Sequence, residues 1–590
     1  MPNTPTKTAL AKIDAGEKNI SNIFCDYYNF SIPPYQRPYA WEFPQASALL
    51  QDLMDAAGVS PSDVETCSAG MYFLGSLVLV KNEYERKASI VDGQQRLITL
   101  TILLCVIRDL TEDEDLKKDR DESIKQAAKP DKNLHEQLRI RLRRQKDQSF
   151  FENYIQRINS TTDLPAVEQY EGSQALIIEN ADYFREQLNT LNQNELTQLI
   201  KFILNSCYLV VIEVPDESAA RRIFKVLNAR GLDLNPTDLL KVNLLARADQ
   251  QGGESLEHEL SEDWEEAESA LGRDRFIDLF THIRFIFQRE KPRTALEEGF
   301  LESVPPFTKN HPKKFFVDVF EPYEKALSLL DNDQKMVELL GTISAAKVEA
   351  LKRLDNKDWE APFIFCLNKY LEDGQFNIKE FITKFERLAY YLFVTRADIN
   401  ARLLRYGSVL DQIDLSNRKN TRNAGIDLSG EETLKFFDAL DDRVYLTRRV
   451  VKPLLLRLDQ ALSDKSALFH QPIVTVEHVA PQTVEEKTQW AKWFSDETYD
   501  HEYWLHRIAN LVLLSRKKNS AAKNYEFERK KSEYFDRNKS CPFVLTTQIR
   551  TVKNWTPTYL QKRQNKLLES LATDWDLKDE FFEWLRLRSE

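Results

Sequence analysis

The stretch SIVDGQQRL (89–97) constrains the fold of this chain more than any other. Residues 88–91 are short, apolar and β-branched, the mark of a buried strand. Asp92-Gly93 is a turn dipeptide. From Leu97 to Leu110 the chain is apolar on nearly every face, which predicts a helix buried all round. Asp92, Gln94, Gln95 and Arg96 are thereby caught between two buried elements, at a helix N-terminus. Unpaired N–H groups and the positive end of the macrodipole make that place attractive to phosphate. An arginine adds a bidentate fork, and a carboxylate can hold a metal or orient a water. The same residues also suit a strand, a merely polar turn and a helix, and local chemistry leaves both readings open.

At 590 residues the chain has room for two to four domains and an ample core. Its N-terminus has no apolar run, so no signal peptide is visible. No stretch approaches the roughly 18 uncharged apolar residues of a membrane span. Six cysteines (25, 67, 105, 207, 366, 541) are scattered without a close pair, which argues against a Cys-rich zinc site and for a reducing, cytoplasmic setting. The net charge of −12 speaks against nucleic acid as an average, but binding depends on local patches. Between Arg516 and Lys539 nine Lys/Arg face four Asp/Glu; acidic excess lies in 111–121 and 254–268.

Taken in order, the box IPPYQRPYAWE (32–42) opens on two prolines that stiffen the backbone. It then presents Tyr35, Gln36 and Arg37, groups that could stack on and hydrogen-bond a base. Packing of its aromatics into the core is the other reading. Residues 71–80 read as a buried strand pairing with 87–91 across a polar loop. The run 111–121 reads as a solvated surface. RIRLRR (139–144) reads as a half-buried strand whose basic face meets either DNA phosphates or the acidic runs. Residues 208–214 form another strand. A helix capped by Asp216 and closed by Gly231 follows, then a second capped by Asn235 with Pro236 first. Asn228, Arg230, Asp238 and Lys241 cluster on that pair, and Arg230 and Lys241 could approach bound phosphates. From 250 to 450 the periodicity is helical, with amphipathic helices over 276–289, 314–330, 361–371 and 378–395. Residues 416–431 read as an exposed loop.

Near the C-terminus, residues 473–476 form a strand followed by EHVAP (477–481). RIANLVLL (507–514) comes later, then Asn519, Asn524, Phe527 and Lys530. A histidine at a strand end, an asparagine before a second strand and a polar ligand entering a helix are the plan of a ββα-metal nuclease. His478 is then the general base, Asn510 orients its imidazole, and the outer residues hold one divalent cation. An asparagine oxygen suits Mg²⁺ better than an imidazole would. His506 reads as structural.

The VDGQQR turn, the 32–42 box and FKVLNARG (224–231) together resemble the GmrS-type domain of modification-dependent restriction systems. That domain is similar in fold to ParB and sulfiredoxin. The C-terminal set resembles the GmrD-type branch of the HNH, or His-Me finger, nucleases, with Ala509 in place of the usual glycine and a long insertion before Asn510. The resemblance covers roughly 15–245 and 440–560. It implies a multidomain α+β chain: a ParB/sulfiredoxin-like nucleotide-binding and DNA-sensing α/β domain (1–248), a helical middle (249–440), and a helical C-terminal domain carrying an HNH nuclease (441–590). It further implies a type IV restriction endonuclease using Mg²⁺ or Mn²⁺, the metal held by Glu477 and Asn519. Its nucleoside triphosphate (GTP, ATP, CTP or UTP) would be held by Asp92, Gly93, Gln94, Gln95, Arg96, Asn228, Arg230 and Lys241. The partner would be double-stranded DNA carrying hydroxymethylated or glucosylated cytosine; a homodimer stays open. A nickase sensing phosphorothioate DNA and a nucleotide-switched ParB-like binder with a silent nuclease end are the alternatives.

Overall fold

The structure, a computed structural model, describes residues 14–33, 36–59, 70–82, 85–128, 135–216, 236–305, 311–374, 376–416, 425–463, 474–495, 501–514, 525–532 and 543–588. The chain divides into two compact units, Met1–Arg273 and Asp274–Glu590. Among the described residues, no helix is long and apolar enough to cross a membrane.

The first unit is built on β1 (Asp14–Asn19), β2 (Asn29–Ser31), β3 (Tyr72–Val80), β4 (Lys87–Asp92), the short pair β5 (Lys125–Gln126) and β6 (Gln137–Leu138), then β7 (Ile140–Arg141) and β8 (Cys207–Val214). Six of these form a mixed sheet in the order β1-β8-β3-β4-β2-β7. β3 and β4 make the antiparallel hairpin expected from the sequence. β4, β2 and β7 run parallel, so their C-terminal ends come to one edge. That edge carries the DGQQR turn, the 32–42 strap and the arginines after Arg141. The carboxyl ends of parallel strands are where open sheets bind ligands.

The Gln94–Asp109 helix is buried on every side from Leu97 onward, as its composition predicts. Arg108, near its C-terminal end, is fully enclosed. It meets Asp109 at 2.7 Å, Asp121 at 2.6 Å and the carbonyls of Gln156 and Arg157 at 2.8 Å. A buried charge is tolerated only with such complete pairing.

The run 111–121 is not a merely solvated surface. It forms the Glu114–Asp121 helix, capped by Asp113, with Lys117 and Arg120 turned inward. The 139–144 segment is a strand only over Ile140–Arg141. Three of its four arginines take the ion-pairing option: Arg139 meets Asp26 at 3.1 Å, while Arg143 and Arg144 both close on Glu265, within the acidic run. Pro236 opens the Pro236–Leu271 helix as expected. The preceding helix, with Asn228, Arg230 and the cap Asn235, lies outside the described residues.

In the second unit, the stretches read as amphipathic helices appear as Arg273–Gln288, Glu360–Glu372 and Ile378–Val394. The 314–330 stretch is broken into Pro312–Phe315, a π turn at Phe316–Phe320 and Glu321–Asp331. Pro322 has no N–H to give the carbonyl four residues back, and the helix loosens there. An ionic knot ties these helices to the C-terminal ones. Arg457, fully buried, donates to Glu386 at 2.5 Å and also closes on Asp574. Trp575 Nε1 donates to the second Glu386 oxygen at 3.0 Å. Against this helical mass lies a two-stranded hairpin, β9 (Thr475–His478) and β10 (Leu511–Leu514), with Leu511 opposite His478.

Asp459, on the Arg448–Leu462 helix, is buried and accepts the Leu545 N–H at 2.6 Å; its Oδ2 has no hydrogen-bond partner. Burial pushes its carboxyl up to about 7, against the pull of the Leu545 and Val544 N–H groups. A carboxyl raised by folding contributes stability that is full below about pH 4 and is lost as pH rises through the folded value, at most about 4 kcal/mol. Thermal melting of Asp459→Asn should therefore lose part of the wild-type decline between roughly pH 4 and 8. Parallel pH profiles for the two proteins would refute this.

Candidate functional site

At the sheet edge of the first unit, Gly93 caps the Gln94–Asp109 helix in the left-handed region (φ 91°). A Cβ there would lie 3.0 Å from Leu77 Cδ1 and 3.1 Å from the Ser76 carbonyl, so glycine is required. Facing it, β3 carries one extra residue between Phe73 and Ser76 relative to β8. The bulge contains Gly75 (φ +102°), and the Arg96 guanidinium occupies the place where a Gly75 side chain would be, 3.1 Å from an ideal Cβ. Arg96 Nη1 donates to the Ser76 carbonyl at 3.1 Å, and Ser76 Oγ lies 3.4 Å from Asp92. Bulges re-aim side chains beside functional sites; this one seats the arginine. Burial raises the Asp92 carboxyl despite the Gly93 N–H and Arg96, and burial lowers the Arg96 guanidinium despite Asp92.

The three glutamines of this edge are structural ties. Gln36 Nε2 donates to the Val91 carbonyl (2.6 Å), Gln94 Nε2 to Arg37 O (2.8 Å) and Gln95 Nε2 to Pro38 O (3.0 Å), while Gln95 Oε1 takes the Ala40 N–H (2.8 Å). The strap is thus sewn onto the turn. Gln94 Oε1 is buried without a hydrogen-bond partner. Arg37 pairs with Asp238 at 2.7 Å. Gln36 and Arg37, read from sequence as DNA-sensing groups, are therefore committed within the fold; Tyr35 lies outside the described residues. Lys241 is likewise placed otherwise than the sequence reading has it. It is 1% exposed and bonds Glu265 at 2.6 Å, away from any open surface. Burial lowers its ammonium against the pull of Glu265. Burial also opposes the charge on Glu265, yet Lys241, Arg143 and Arg144 together hold that carboxyl below its usual range.

In the second unit His478 closes β9 and is 1% exposed. Its Nε2 lies 3.3 Å from His506 Nδ1 and its Nδ1 3.2 Å from Gln482 Nε2. The Tyr445 ring meets it edge-on at 4.1 Å and stacks on His506 at 5.4 Å. Lys530, buried, donates to the carbonyls of His478 (3.1 Å) and Val479 (2.9 Å), pinning the strand end. Burial lowers the His506 imidazole, with Arg443 and His501 adding to the effect. His506 is the residue that sequence reasoning set aside. Only its place four residues before Asn510 hints at a role.

Asn510 acts on the backbone. Its Oδ1 accepts the Ala480 N–H (2.8 Å) and Trp555 Nε1–H (3.1 Å); its amide donates to the carbonyls of Leu505 (3.0 Å) and Ala480 (3.4 Å). An amide has two donors and two acceptor lone pairs, and all four are used. Asn510 therefore fixes the chain that leaves His478, where sequence reasoning has it orient the imidazole directly. Glu477 is the neighbouring strand residue and, like His478, is buried. Asn519 lies outside the described residues. Among the described residues no group of three His, Cys, Asp or Glu side chains could hold a metal ion.

No curated protein matches the chain. Two family models do. Residues 20–245 match the GmrSD restriction endonuclease N-terminal domain, and residues 431–570 match the GmrSD restriction endonuclease C-terminal domain. The first match spans the strap and the DGQQR turn; the second spans His478, Asn510 and Lys530. With both domains of that family in order along one polypeptide, the chain belongs to the GmrSD-type restriction endonucleases.

Proposed function

We propose that the chain is a nucleotide-controlled, divalent-metal-dependent endonuclease that cuts modified foreign DNA. The observation that carries the nuclease part is the His478 hairpin. A histidine at a strand end, its ring nitrogens facing His506 and Gln482 and its backbone pinned by Lys530 and Asn510, is a fixed base. For His478 to take the proton from the attacking water, that water must replace Gln482 at Nδ1 while the strand end stays in place. Burial, with Arg443 and His501, disfavours the charged form of His506 beside the base.

A divalent cation would supply charge neutralisation at the scissile phosphate. Glu477 and Asn519 are its candidate holders, and the described residues alone do not complete its ligand set. The check on these two is a Mg²⁺ titration: Asn519→Ala should raise the metal concentration needed for cleavage.

In the first unit, Arg96 and the N–H groups following Gly93 are the candidate cradle for a triphosphate, with Asp92 beside them. The buried, unpartnered Gln94 Oε1 supports a ligand at this edge, since such atoms in native proteins ordinarily find a partner. Arg230 and Asn228 complete the proposed nucleotide set. Modified bases would be sensed through the strap, with Tyr35 as its candidate reader. Because Gln36 ties the strap to Val91, Gln36→Ala should lower nucleotide hydrolysis several-fold. Tyr35→Ala should instead lose the preference for modified duplex with hydrolysis intact. Binding of modified and plain duplexes at fixed salt, run beside a phosphate-release assay, separates the two.

Cleavage of matched plain, hydroxymethylated, glucosylated and phosphorothioate DNAs with Mg²⁺, with and without each nucleotide, tests the reading as a whole. Cutting confined to phosphorothioate DNA, or no metal-dependent cutting of any of them, would replace it.

A further inference from the structure

A groove of about 740 Å³ runs between the segment leading into the Pro557–Asp574 helix and the first turns of that helix. Its rim carries Lys553, Lys562 and Lys566, with Thr551, Asn554 and Thr558 between them, and among the described residues no carboxylate lines it. All three lysines are exposed. Among the described residues none of their ammonium groups enters an ion pair or hydrogen bond, in a chain whose net charge is −12 and whose exposed lysines elsewhere often pair. Thr558, Lys562 and Lys566 follow one another at four-residue steps, about 6 Å apart along the helix axis. They form a row of donors inclined to the helix axis.

The floor of the groove is joined to the nuclease hairpin. Arg563, buried beneath the lysines, donates to the carbonyls of Ala509 (3.1 Å) and Leu545 (2.9 Å), and Gln564 Oε1 accepts the Ala509 N–H at 2.8 Å. Trp555, between the rim residues Asn554 and Thr556, donates to Asn510. The residues that shape the groove are thus the ones that fix Asn510, and through it the chain leaving His478.

From this we infer that the Lys553–Lys562–Lys566 groove is a binding track for the sugar-phosphate backbone of duplex DNA, leading it to His478. Unpaired ammonium groups with neutral hydroxyls and amides between them suit a row of phosphates, because they read charge and spacing without reading sequence. Among the described residues, no acidic group on the rim offsets them. The track rests on the endonuclease reading above. It also differs from the basic run 516–539, which sequence points to first.

The test uses the full-length protein, a short labelled duplex and EDTA, so that binding is read without cleavage. Affinity is followed over a salt series for wild type, for Lys553→Gln, Lys562→Gln and Lys566→Gln singly and together, and for Lys335→Gln as an unrelated surface control. Each lysine that meets a phosphate should lower the slope of log K against log salt by about 0.9 when removed. The triple variant should bind duplexes of every sequence more weakly to the same degree, melt like wild type, and with Mg²⁺ cleave with a raised KM and a nearly unchanged kcat. If wild type cleaves DNA but the triple variant keeps the wild-type affinity and slope, the track is wrong and the endonuclease reading stands. A loss seen on RNA duplexes but not on DNA overturns it equally. If wild type neither binds nor cuts DNA, the endonuclease reading falls and takes the track with it.

Discussion

Replacing His478 with alanine should lower DNA cleavage by about 10²–10⁴, the range typical of one general base, while nucleotide hydrolysis stays at wild-type level. The ring is buried among His506, Gln482 and Tyr445, so removing it also leaves a cavity. His478→Gln fills most of that space and cannot act as a base, so it should show the same loss without the stability cost. Melting curves of both variants separate the two effects. His506→Ala should do less, because His506 faces the base and is not itself the proposed base; a loss as deep as that of His478→Gln would move the base to His506. Undiminished cutting by both His478 variants would remove the hairpin from the chemistry.

Removing the Arg96 guanidinium should stop nucleotide hydrolysis, on the order of 10²–10³ for one preorganised charge at a phosphate. Gly75 gives an independent handle on the same group. An alanine there meets a backbone φ of +102° and stands 3.1 Å from Arg96 Nη2. Gly75→Ala should thus displace the arginine without removing it, and hydrolysis should fall with the arginine still present. Phosphate release under saturating nucleotide is the measurement. If Arg96→Ala hydrolyses normally, the turn is a structural corner and the nucleotide site lies elsewhere.

Much of the frame was legible from local pattern. The buried strands, the wholly buried Gln94–Asp109 helix and the 72–92 hairpin follow from apolar runs and one Asp-Gly turn. The helices of the second unit follow from their 3.6-residue period. What local pattern cannot carry is the partner of a polar side chain. Gln36, Gln94 and Gln95 look like ligand-reading groups, yet they are spent on carbonyls some 55 residues away. Lys241 looks like a phosphate contact until Glu265, 24 residues on, is seen to enclose it. His506 had no strand or motif to mark it, and the three groove lysines are spread over fourteen positions broken by a tryptophan and a proline. Such groups acquire their meaning from tertiary neighbours, which periodicity does not encode.

The knot around Arg457 bears on how proteins of this kind can evolve. Glu386 comes from the helices that sequence reading assigns to a separate middle segment, whereas Arg457, Asp574 and Trp575 come from the nuclease end. A cut near residue 441 would strand an arginine that is 0% exposed without its principal counter-charge, a loss of about 3–5 kcal/mol for a broken buried pair. The cutting end is therefore not an interchangeable cartridge at that boundary. Recombination that swaps sensing and cutting parts between relatives should leave its viable junctions near residue 273, carrying the whole helical body with the nuclease as a single heritable block.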